Sequence, residues 1–570
     1  MFVSNLKLWN FRKYWLNWDI DLNKPNLDIS FNRWMNLFVW PNDSGKTAVI
    51  DALKLVLKTC SSEWIRLEQD DFFWETKDLR IEVIISDWYE DAEKSANWAK
   101  NFTEWLSFDE NGNPQLRLIL EAHINELWKI LPYDVKAWND EHWSLLSAEA
   151  KDYLKTVYLK PLRDADHELI PKKGSRLSQI LAWTPQFSSS NNHEFIVALN
   201  NFSQIIETYF KEWAWADWIS KWINKLLNDF WKDEIYIKPT EKINLKYILE
   251  LLKLSYDEKK PWLWSQNLLF IATELLYFSL SNDENLKLGL IEEIEAHLHP
   301  QKQLKVIETL EEQSKQKWFQ LILTTHSPNI SSKIDIENLF LFDWNNVFSL
   351  RKQETKLEEK DYSFLERFLD VTKANLFFSK WIIFVEWRSE EILMPAIAKQ
   401  IWLDLTKKEV SIINVWNVWF SHYEKIFQRN DDKLIDVKTS IVTDLDLYEN
   451  DEKWDERDDK ITQKRAYETD NSKVFIWNEW TLERCLFKAL WEDMFKKYAL
   501  QIHPKKFNET GRDVWEILKE LLKNHKFHKV DFSYILAQEI EEWKVVLDQE
   551  NGYIKYLIDA IKHACWESIW

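Results

Sequence analysis

The sequence contains 570 residues, of which 74 are Lys or Arg and 94 are Asp or Glu, and its formal net charge is −20. This length allows several domains, and no apolar run reaches the roughly 18 residues of a membrane-spanning helix. Because Cys60, Cys485 and Cys565 lie far apart and the N-terminal stretch lacks the layout of a secretory signal, we exclude a disulfide framework and a CxxC zinc site and expect a soluble, cytoplasmic protein.

Glycine is rare and tryptophan is abundant in this sequence. The chain has 6 glycines and 36 tryptophans, whereas a chain of this length ordinarily carries roughly 40 glycines. Glycine readily adopts positive φ angles, which tryptophan resists. We therefore hypothesise that most of these tryptophans are glycines in the living protein, because the source organism reads UGA codons as glycine. The alternative is a protein that is truly rich in tryptophan.

The predicted elements, taken in chain order, alternate between α/β and helical segments. Residues 1–99 combine strand-like runs with one helical stretch, which predicts the N-terminal part of an ABC-type P-loop ATPase domain of α/β class. From 100 to 240 the apolar residues recur at helical spacing, which predicts a helical insertion or dimerisation arm. Strand-like runs over 241–355 are expected to complete the first domain. Short strands and helices over 370–480 predict a second α/β unit, and a helical extension is expected over 481–570.

A phosphate-binding loop is predicted between the first predicted central strand and the helix that follows it. If Trp40 is glycine, the segment WPNDSGKT has the pattern GxxxxGK[ST] in the required strand–loop–helix context. In such a loop the backbone N–H groups cradle phosphates, Lys46 supplies positive charge, and the Thr47 hydroxyl binds Mg²⁺. The alternative is an ordinary turn before a helix. The predicted ATP-binding residues of the loop are Trp40, Asn42, Ser44, Gly45, Lys46 and Thr47.

Two later segments supply groups that phosphoryl transfer requires. A hydrophobic strand ends at Glu292 and Glu293, and one carboxylate is expected to hold Mg²⁺ while its neighbour orients the attacking water. Another apolar strand ends at His326, which we predict to sense the γ-phosphate. Taken alone, a paired glutamate is more often a solvated strand end, and a lone histidine is more often structural.

With these segments in place, the chain resembles ABC-type ATPases of the RecF and SMC kind. In that family a signature loop of the partner subunit closes on the nucleotide. The stretch KKPWLWSQNLL is similar to such a loop if Trp262 and Trp264 are glycines. The resemblance implies that Ser265 and Gln266 are polar contacts to ATP and that Gln69 is the Q-loop residue.

Acidic residues at strand ends of the second α/β unit predict a metal-dependent catalytic site. Glu386 ends one strand, and Glu390 lies four residues later on the same face of the following helical turn. Asp444 and Asp446 end another strand and point to one side. Gathered carboxylates repel one another unless divalent cations neutralise them, and oxygen-only ligands favour Mg²⁺ or Mn²⁺. Two such ions would stabilise the attacking and leaving oxygens of phosphodiester hydrolysis.

This pattern is similar to the Toprim domain of topoisomerases, primases and certain nucleases, with glycine needed at Trp387 and expected at Trp416 and Trp419. The resemblance also implies that Glu483 is a further metal-site carboxylate. An ABC-type ATPase followed by Toprim is the arrangement of the overcoming lysogenization defect (OLD) nuclease family, which includes the nuclease subunit of Gabija anti-phage systems. The family implies ATP-regulated DNA cleavage in defence or DNA processing, with assembly as homodimers or homotetramers. It leaves open whether a UvrD-like helicase is an additional partner.

Other functions stay open at this point. A lone DxD is a weak signal in a chain of this charge, and a vestigial Toprim unit would leave a non-catalytic, ATP-driven clamp that holds DNA or a partner. A topoisomerase-like enzyme would need a tyrosine for strand transfer, and the sequence marks none. The excess of acidic residues counts against DNA as the substrate unless clusters of Lys and Arg contact the DNA backbone. Such clusters, which are more often solvated faces, comprise Lys172, Lys173 and Arg176, and Lys460, Lys464 and Arg465.

The glycine hypothesis makes a direct prediction about the native protein. Mass spectrometry of peptides from the source organism is expected to find glycine at position 40, because the phosphate-binding loop requires it. Tryptophan at position 40 in the native peptide would overturn the hypothesis.

Overall fold

The computed structural model describes most of the chain outside a long central segment. The described residues are 1–15, 20–39, 45–59, 65–74, 76–86, 100–138, 142–160, 285–343, 346–415, 420–431, 433, 435–445, 457–477, 480–508 and 511–565, with the helical positions 178, 181, 197, 201, 204, 208, 271–273 and 276.

The described strands and helices are numbered here in chain order. The strands are β1 (Phe2–Trp9), β2 (Leu27–Ser30), β3 (Met35–Val39), β4 (Asp78–Ser86), β5 (Ser107–Phe108), β6 (Pro114–His123), β7 (Val135–Trp138), β8 (Trp143–Leu145), β9 (Val157–Leu159), β10 (Leu288–Ile291), β11 (Gln320–Thr324), β12 (Leu339–Phe342), β13 (Val347–Ser349), β14 (Trp381–Val385), β15 (Val410–Asn414), β16 (Lys438–Asp444) and β17 (Ser472–Trp477). The helices are α1 (Lys46–Leu57), α2 (Ala148–Tyr153), α3 (Pro300–Lys317), α4 (Pro328–Ser331), α5 (Glu359–Phe368), α6 (Arg388–Gln400), α7 (Phe420–Glu424), α8 (Arg457–Arg465), α9 (Leu482–Ala489), α10 (Glu492–Ile502), α11 (Pro504–Phe507), α12 (Val514–Lys523), α13 (Lys529–Glu541) and α14 (Lys555–Ala564).

An antiparallel sheet forms one layer of the first domain. Its strand order is β2-β1-β4-β6-β7-β8 within the described ranges, and β5 pairs with β6. Helix α1 packs against β4 and β6. This sheet therefore covers one face of the helix that follows the predicted phosphate-binding loop.

The prediction of a helical insertion that begins at residue 100 is wrong for the part of it that the structure describes up to residue 160, where β5 to β9 lie. Along β6, Leu116, Leu118 and Leu120 are buried on one face, which is the two-residue period of a strand. Ile119, which lies between Leu118 and Leu120, is also buried. Because these consecutive apolar residues obscure the two-residue period, the segment was predicted to be helical. Apart from isolated helical positions, the remainder of the predicted insertion lies outside the described residues.

A parallel sheet forms the core of the first domain. Its order over the described residues is β13-β12-β3-β11-β10-β9, and only the edge strand β13 is antiparallel to its neighbour. Strands β3 and β11 are buried along their whole length, as expected for a parallel sheet covered on both faces. Strand β3 precedes the long central segment in the chain, and it pairs with β11 and β12, which follow that segment. One sheet is therefore built from both parts of the chain. The carboxyl ends of β3, β10 and β11 meet at one edge.

A second parallel sheet lies in the C-terminal half of the chain. The described strands have the order β15-β14-β16-β17, and all neighbours are parallel. Helix α14 packs on β14, β16 and β17, and α6 packs against α13. The final 90 or so residues are helical where they are described, as predicted. No described helix is both long enough and apolar enough to cross a membrane.

Some tryptophans occupy left-handed backbone positions, where glycine is favoured. Those with positive φ among the described residues are Trp128 (φ 56), Trp318 (φ 57), Trp402 (φ 62) and Trp543 (φ 59). Trp402 follows the end of α6, where the Leu403 N–H donates to the Ala398 carbonyl at 2.9 Å. Glycine commonly occupies this position after a helix. These backbones support the glycine hypothesis, which stays a prediction.

Other tryptophans that the sequence analysis assigned to glycine positions give no such support. Trp387 has an extended backbone with φ −130 and ψ 159, which any residue adopts. The positions at 40, 262, 264, 416 and 419 lie outside the described residues.

Replacing Trp402 with glycine should stabilise the chain. The substitution removes a left-handed strain of about 1–2 kcal/mol, and the side chain is 83% exposed, so little burial is lost. We expect Trp402→Gly to raise the free energy of unfolding in urea by about 1 kcal/mol. The control is Trp491→Gly, because Trp491 is 82% exposed but has a φ of −64. Equal effects of the two substitutions would contradict the assignment of backbone strain to Trp402.

Candidate functional site

The first cluster of polar side chains lies where β3, β10 and β11 end. Lys46 begins α1, and its Nζ lies 3.3 Å from Nδ1 and 3.2 Å from Nε2 of His326. Burial lowers the pKa of Lys46 to about 8, against the opposing pull of Glu295 and Glu293. Burial and the neighbouring Lys46 charge lower the pKa of His326 to about 4. His326 is therefore neutral at pH 7 and accepts a hydrogen bond from the ammonium.

The two predicted Mg²⁺ ligands of the ATP site lie side by side. The Thr47 hydroxyl donates to Glu292 Oε2 at 3.3 Å, and the Tyr158 hydroxyl donates to Oε1 of the same carboxylate at 2.7 Å. Burial raises the pKa of Glu292. Tyr158, which lies on β9, was missed by the sequence analysis because its partner Glu292 is distant along the chain.

The residues after Glu292 are fixed by the neighbouring strand end. Glu293 has a φ of 44, and its N–H donates to the Thr324 hydroxyl at 3.0 Å. Glu295 accepts from the Thr325 hydroxyl at 2.8 Å and from the His326 N–H at 2.6 Å. Sequence reasoning missed Glu295, although it follows the predicted glutamate pair in the same EEIE run.

The backbone conformation and the surroundings of Gly45 favour a residue without a side chain directly before Lys46. Its φ is 91, and a Cβ there would overlap the side chain of Lys13 and lie 2.6 Å from the Tyr14 hydroxyl. The Tyr14 hydroxyl donates to the Gly45 carbonyl at 3.4 Å. Strain and crowding thus both favour glycine at this position of the loop.

Other residues predicted for the ATP site are not brought to this cluster. Gln69 is exposed, and its side-chain amide donates to the Trp128 carbonyl at 2.6 Å, so within the described ranges its hydrogen bond goes to a hairpin of the antiparallel sheet. The remaining ATP-site predictions lie outside the described residues, namely Trp40, Asn42, Ser44, Ser265 and Gln266.

A second cluster of carboxylates lies at the carboxyl edge of the C-terminal sheet. Glu386 directly follows β14 and Asp444 ends β16, the neighbouring parallel strand. Both are buried, with exposed fractions of 2% and 4%. The Thr443 hydroxyl donates to Glu386 Oε1. The structure therefore places these two predicted catalytic residues on adjacent strand ends.

Glu390 and Glu483 add two more buried carboxylates to the same edge, with exposed fractions of 3% and 1%. Glu390 lies in the first turn of α6 and accepts from the Trp387 N–H at 3.0 Å. Burial raises the pKa of Glu390 to about 8, and the nearby charges of Glu483 and Glu386 raise it as well. A carboxyl group in this position resists ionisation unless positive charge is near.

Two lysines that the sequence analysis did not assign to this site contact the carboxylates. Lys529, the first residue of α13, has its Nζ 2.9 Å from Glu483 Oε2. Burial alone would lower the pKa of Lys529, but Glu483 outweighs burial and the pKa is raised. Lys464 on α8 lies 3.3 Å from Glu386 Oε1. Lys464 was grouped with a basic cluster that the sequence analysis left open as either a DNA contact or a solvated face, whereas its ammonium contacts a carboxylate.

The metal ligands themselves stay predictions. Asp446 lies outside the described residues. Among the residues that are described, no three Asp, Glu, His or Cys side chains are grouped closely enough to hold one metal ion. The described carboxylates share one edge of the sheet, but their positions alone do not complete a coordination shell.

Comparison with known proteins matches both halves of the chain. A family model described as AAA ATPase domain matches residues 1–160 and 147–331. A second model, described as Overcoming lysogenization defect protein-like, TOPRIM domain, matches residues 377–446. Endonuclease GajA of Bacillus cereus strain HuB5-5 is 24% identical over an alignment 677 positions long, which covers 100% of this chain and 90% of that protein.

Two further similarities are more distant. Endonuclease GajA of Bacillus cereus strain VD045 is 20% identical over 465 aligned residues, covering 78% of this chain and 75% of that protein. The solved C-terminal region of the Burkholderia pseudomallei OLD protein is 22% identical with a TM-score of 0.24, covering 33% of this chain and 99% of that chain.

The two family models confirm the predicted order of an ATPase domain followed by Toprim. The two domains imply that the chain uses a nucleotide and a divalent metal ion. Because the ATPase model spans more than half of the sequence, the chain belongs to the AAA ATPase domain family, and its OLD-like TOPRIM domain gives it the architecture of the OLD family of ATP-dependent endonucleases.

Proposed function

We propose that this chain is a divalent-metal-dependent DNA endonuclease whose Toprim unit hydrolyses phosphodiester bonds and whose ATPase unit regulates cutting. The observation that carries the proposal is the set of buried carboxylates at one edge of the C-terminal sheet. The curated relatives, both of which are called endonucleases, support this assignment. We place the activity in anti-phage defence or DNA processing, in the cytoplasm.

The donor chemistry of this chain suits a divalent ion. Glu386, Glu390, Asp444 and Glu483 are all buried carboxylates, and an oxygen-only set favours Mg²⁺ or Mn²⁺. The Tyr556 hydroxyl is buried, has no hydrogen-bond partner among the described residues, and lies within electrostatic reach of three of these carboxylates. A buried polar atom without a partner indicates that a further polar group belongs in this space.

We assign metal binding to Glu386, Glu390, Asp444, Asp446 and Glu483. When bound, the ions would supply positive charge to the attacking and leaving oxygens of the phosphodiester.

The chain's own residues prepare this site. Thr443 orients Glu386 by donating to Oε1. Lys529 holds Glu483 through an ion pair of 2.9 Å, and its charge would also attract a phosphate group that entered the cluster. Each contact restricts the orientation of one carboxylate, and a precise phosphodiester geometry benefits from such restriction.

In the nucleotide site we assign separate roles to the residues around α1. Lys46 would bind the β- and γ-phosphates, and Thr47 with Glu292 would hold Mg²⁺. Glu293 would orient the attacking water, and the neutral ring of His326 would contact the γ-phosphate. The hydrogen bonds of Thr47 to Glu292 and of Lys46 to His326 support this arrangement.

We infer that the chain works as a homodimer or homotetramer on DNA. The segment with Ser265 and Gln266 resembles a signature loop, and such a loop acts on the nucleotide of a partner subunit. A UvrD-like helicase would be an additional partner.

A non-catalytic, ATP-driven clamp is the second candidate function. Lys464 and Lys529 already pair with Glu386 and Glu483, so two of the carboxylates have counter-charges within the chain. If these lysines replaced the metal ions permanently, the Toprim unit would hold DNA without cutting it.

The raised pKa of Glu390 predicts a pH dependence of stability. Between pH about 4.5 and about 8 the unfolded chain releases a proton that the folded chain keeps, so stability should fall as the pH rises through this window. Glu390→Gln keeps the acceptor for the Trp387 N–H but cannot ionise. Urea unfolding at pH 5.5 and pH 8 without divalent ions should therefore show a smaller loss of stability in the variant.

Divalent ions provide the internal control for this measurement. Added Mg²⁺ should raise the melting temperature of the parent chain at pH 8 more than that of Glu390→Gln, because it favours the ionised carboxylate. Identical pH profiles for the two chains would show that Glu390 is ionised in the folded protein.

Removing one carboxylate should separate nuclease activity from nucleotide binding. In the full chain with Trp40→Gly and the other proposed glycines restored, Asp444→Ala is expected to reduce nicking of supercoiled plasmid with Mg²⁺ or Mn²⁺ by at least about a thousandfold, roughly 4 kcal/mol in the barrier. ATP binding by the same variant should stay within about threefold of the parent.

The matched control is Lys46→Met, which should weaken ATP binding while the Toprim carboxylates remain intact. A parent chain that binds ATP but leaves the plasmid uncut would favour the clamp. Relaxed closed circles as the product would instead indicate a topoisomerase-like reaction.

A further inference from the structure

We propose that Lys464 competes with a divalent metal ion for the carboxylate edge of the C-terminal sheet, so that the ion binds there only when the Lys464 ammonium withdraws. This inference rests on the proposed metal-dependent nuclease function. It adds to that function a residue of the chain that sets the metal concentration at which the site fills.

The Lys464 ammonium contacts oxygens at the ends of two neighbouring strands. Its Nζ lies 3.3 Å from Oε1 of Glu386, which directly follows β14. It also donates to the Thr443 hydroxyl and to the main-chain carbonyl of Asp444 at the end of β16. A positive charge thus lies among three oxygens where two parallel strands end. Oxygen atoms gathered in this way also suit a hard divalent cation.

The number of its hydrogen bonds limits what Lys464 can do in this position. A lysine ammonium has three N–H donors and no acceptor. The contacts with Glu386, Thr443 and Asp444 use all three donors, and the side chain is only 14% exposed. In this position the ammonium therefore has no donor left for a phosphate oxygen of a nucleic acid, and its charge compensates the strand ends alone.

A divalent ion and this ammonium repel one another if both use the same carboxylate. Glu386 is only 2% exposed, so little water lies around it to weaken the repulsion between two positive groups. An ion that binds Glu386 therefore favours withdrawal of Lys464. Because coupling between two binding events is reciprocal, Lys464 in turn weakens the binding of the ion.

The two lysines at this sheet edge differ in their freedom to withdraw. Lys529 begins α13, which packs against α6 and contributes the fully buried side chains of Phe532 and Leu536 to the core. Lys464 lies on α8, and none of the described residues of that helix is buried. A helix with few buried contacts shifts at a low cost in free energy. The exchangeable charge is therefore that of Lys464, and the fixed charge is that of Lys529.

Two other roles of Lys464 predict different results. If Lys464 only stabilises the fold, its removal destabilises the chain and leaves the metal affinity unchanged. If Lys464 stays in place and assists metal binding by orienting Glu386, its removal weakens metal binding. Competition alone predicts that metal binding becomes tighter when the positive charge is removed.

The test measures Mn²⁺ binding by isothermal titration calorimetry at pH 8 without nucleotide, in the full chain with the proposed glycines restored. We expect Lys464→Met to tighten Mn²⁺ binding by about tenfold. After removal of divalent ions with EDTA, the same variant should melt at a lower temperature than the parent, because Glu386 loses an ion-pair partner. Added Mn²⁺ should then raise the melting temperature of the variant by more than that of the parent.

Three further variants separate charge from structure. Lys464→Gln keeps hydrogen-bond donors but removes the charge, and it should also tighten Mn²⁺ binding, which keeps the test decisive if Lys464→Met does not fold. Lys464→Arg keeps the charge and should stay within about threefold of the parent. Arg465→Met removes one positive charge from an exposed neighbour on the same helix, and its Mn²⁺ affinity should also stay within about threefold of the parent.

An unchanged or weaker Mn²⁺ affinity in both Lys464→Met and Lys464→Gln would overturn the proposal. Equal tightening in Arg465→Met would also overturn it, because the effect would then come from the net charge of the helix. Asp444→Ala separates this failure from that of the proposed function: if this substitution leaves Mn²⁺ binding unchanged, the carboxylate edge is not the metal site.

Discussion

The burial of several neighbouring carboxyl groups is the physical constraint that the C-terminal half of this chain must satisfy. Glu386, Glu390, Asp444 and Glu483 are each at most 4% exposed at one edge of a parallel sheet. Charges in so little water destabilise a fold by several kcal/mol each unless counter-charges are near. Lys529 provides one such charge from α13, far along the chain. The C-terminal helices therefore do more than extend the core, because they complete the electrostatics of the sheet edge.

The nucleotide site presents the same constraint with the opposite sign. There the ammonium of Lys46 is buried beside a neutral histidine, and burial lowers the pKa of both side chains. Parallel strands explain why both sites lie where they do, since their carboxyl ends meet at one edge and collect the residues that follow each strand. Each site contains buried charged groups of both signs, and the proposed ligand complements one of them: a polyphosphate would pair with Lys46 in the first site, and divalent cations would pair with the carboxylates in the second.

Residues that follow a strand directly could be predicted from the sequence, because strand periodicity locates them at the sheet edge. This holds for Glu292 and Glu386, which directly follow β10 and β14, and for Asp444, which ends β16. Lys529 could not be predicted, since a lysine at the start of a helix is ordinarily solvated, and only the packing of α13 on α6 turns it toward Glu483. The strand β6 was missed because consecutive apolar residues hide the two-residue period. In each failure the deciding information was a long-range contact and not a local pattern.

The two units are joined by a hydrogen-bonded connection that links both sites. Arg429, whose side chain is only 4% exposed, donates to the Ser349 carbonyl at the end of β13 and pairs with Glu354. Its backbone also forms an isolated bridge with Thr355. Strand β13 pairs with β12, and β12 pairs with β3, which leads into the phosphate-binding loop. On the Toprim side, Arg429 precedes β16, which ends at Asp444. A hydrogen-bonded connection of this kind does not itself create two states. Regulation of cutting by the ATPase unit, as proposed above, therefore requires an element with two arrangements, which this connection would join to the Toprim sheet.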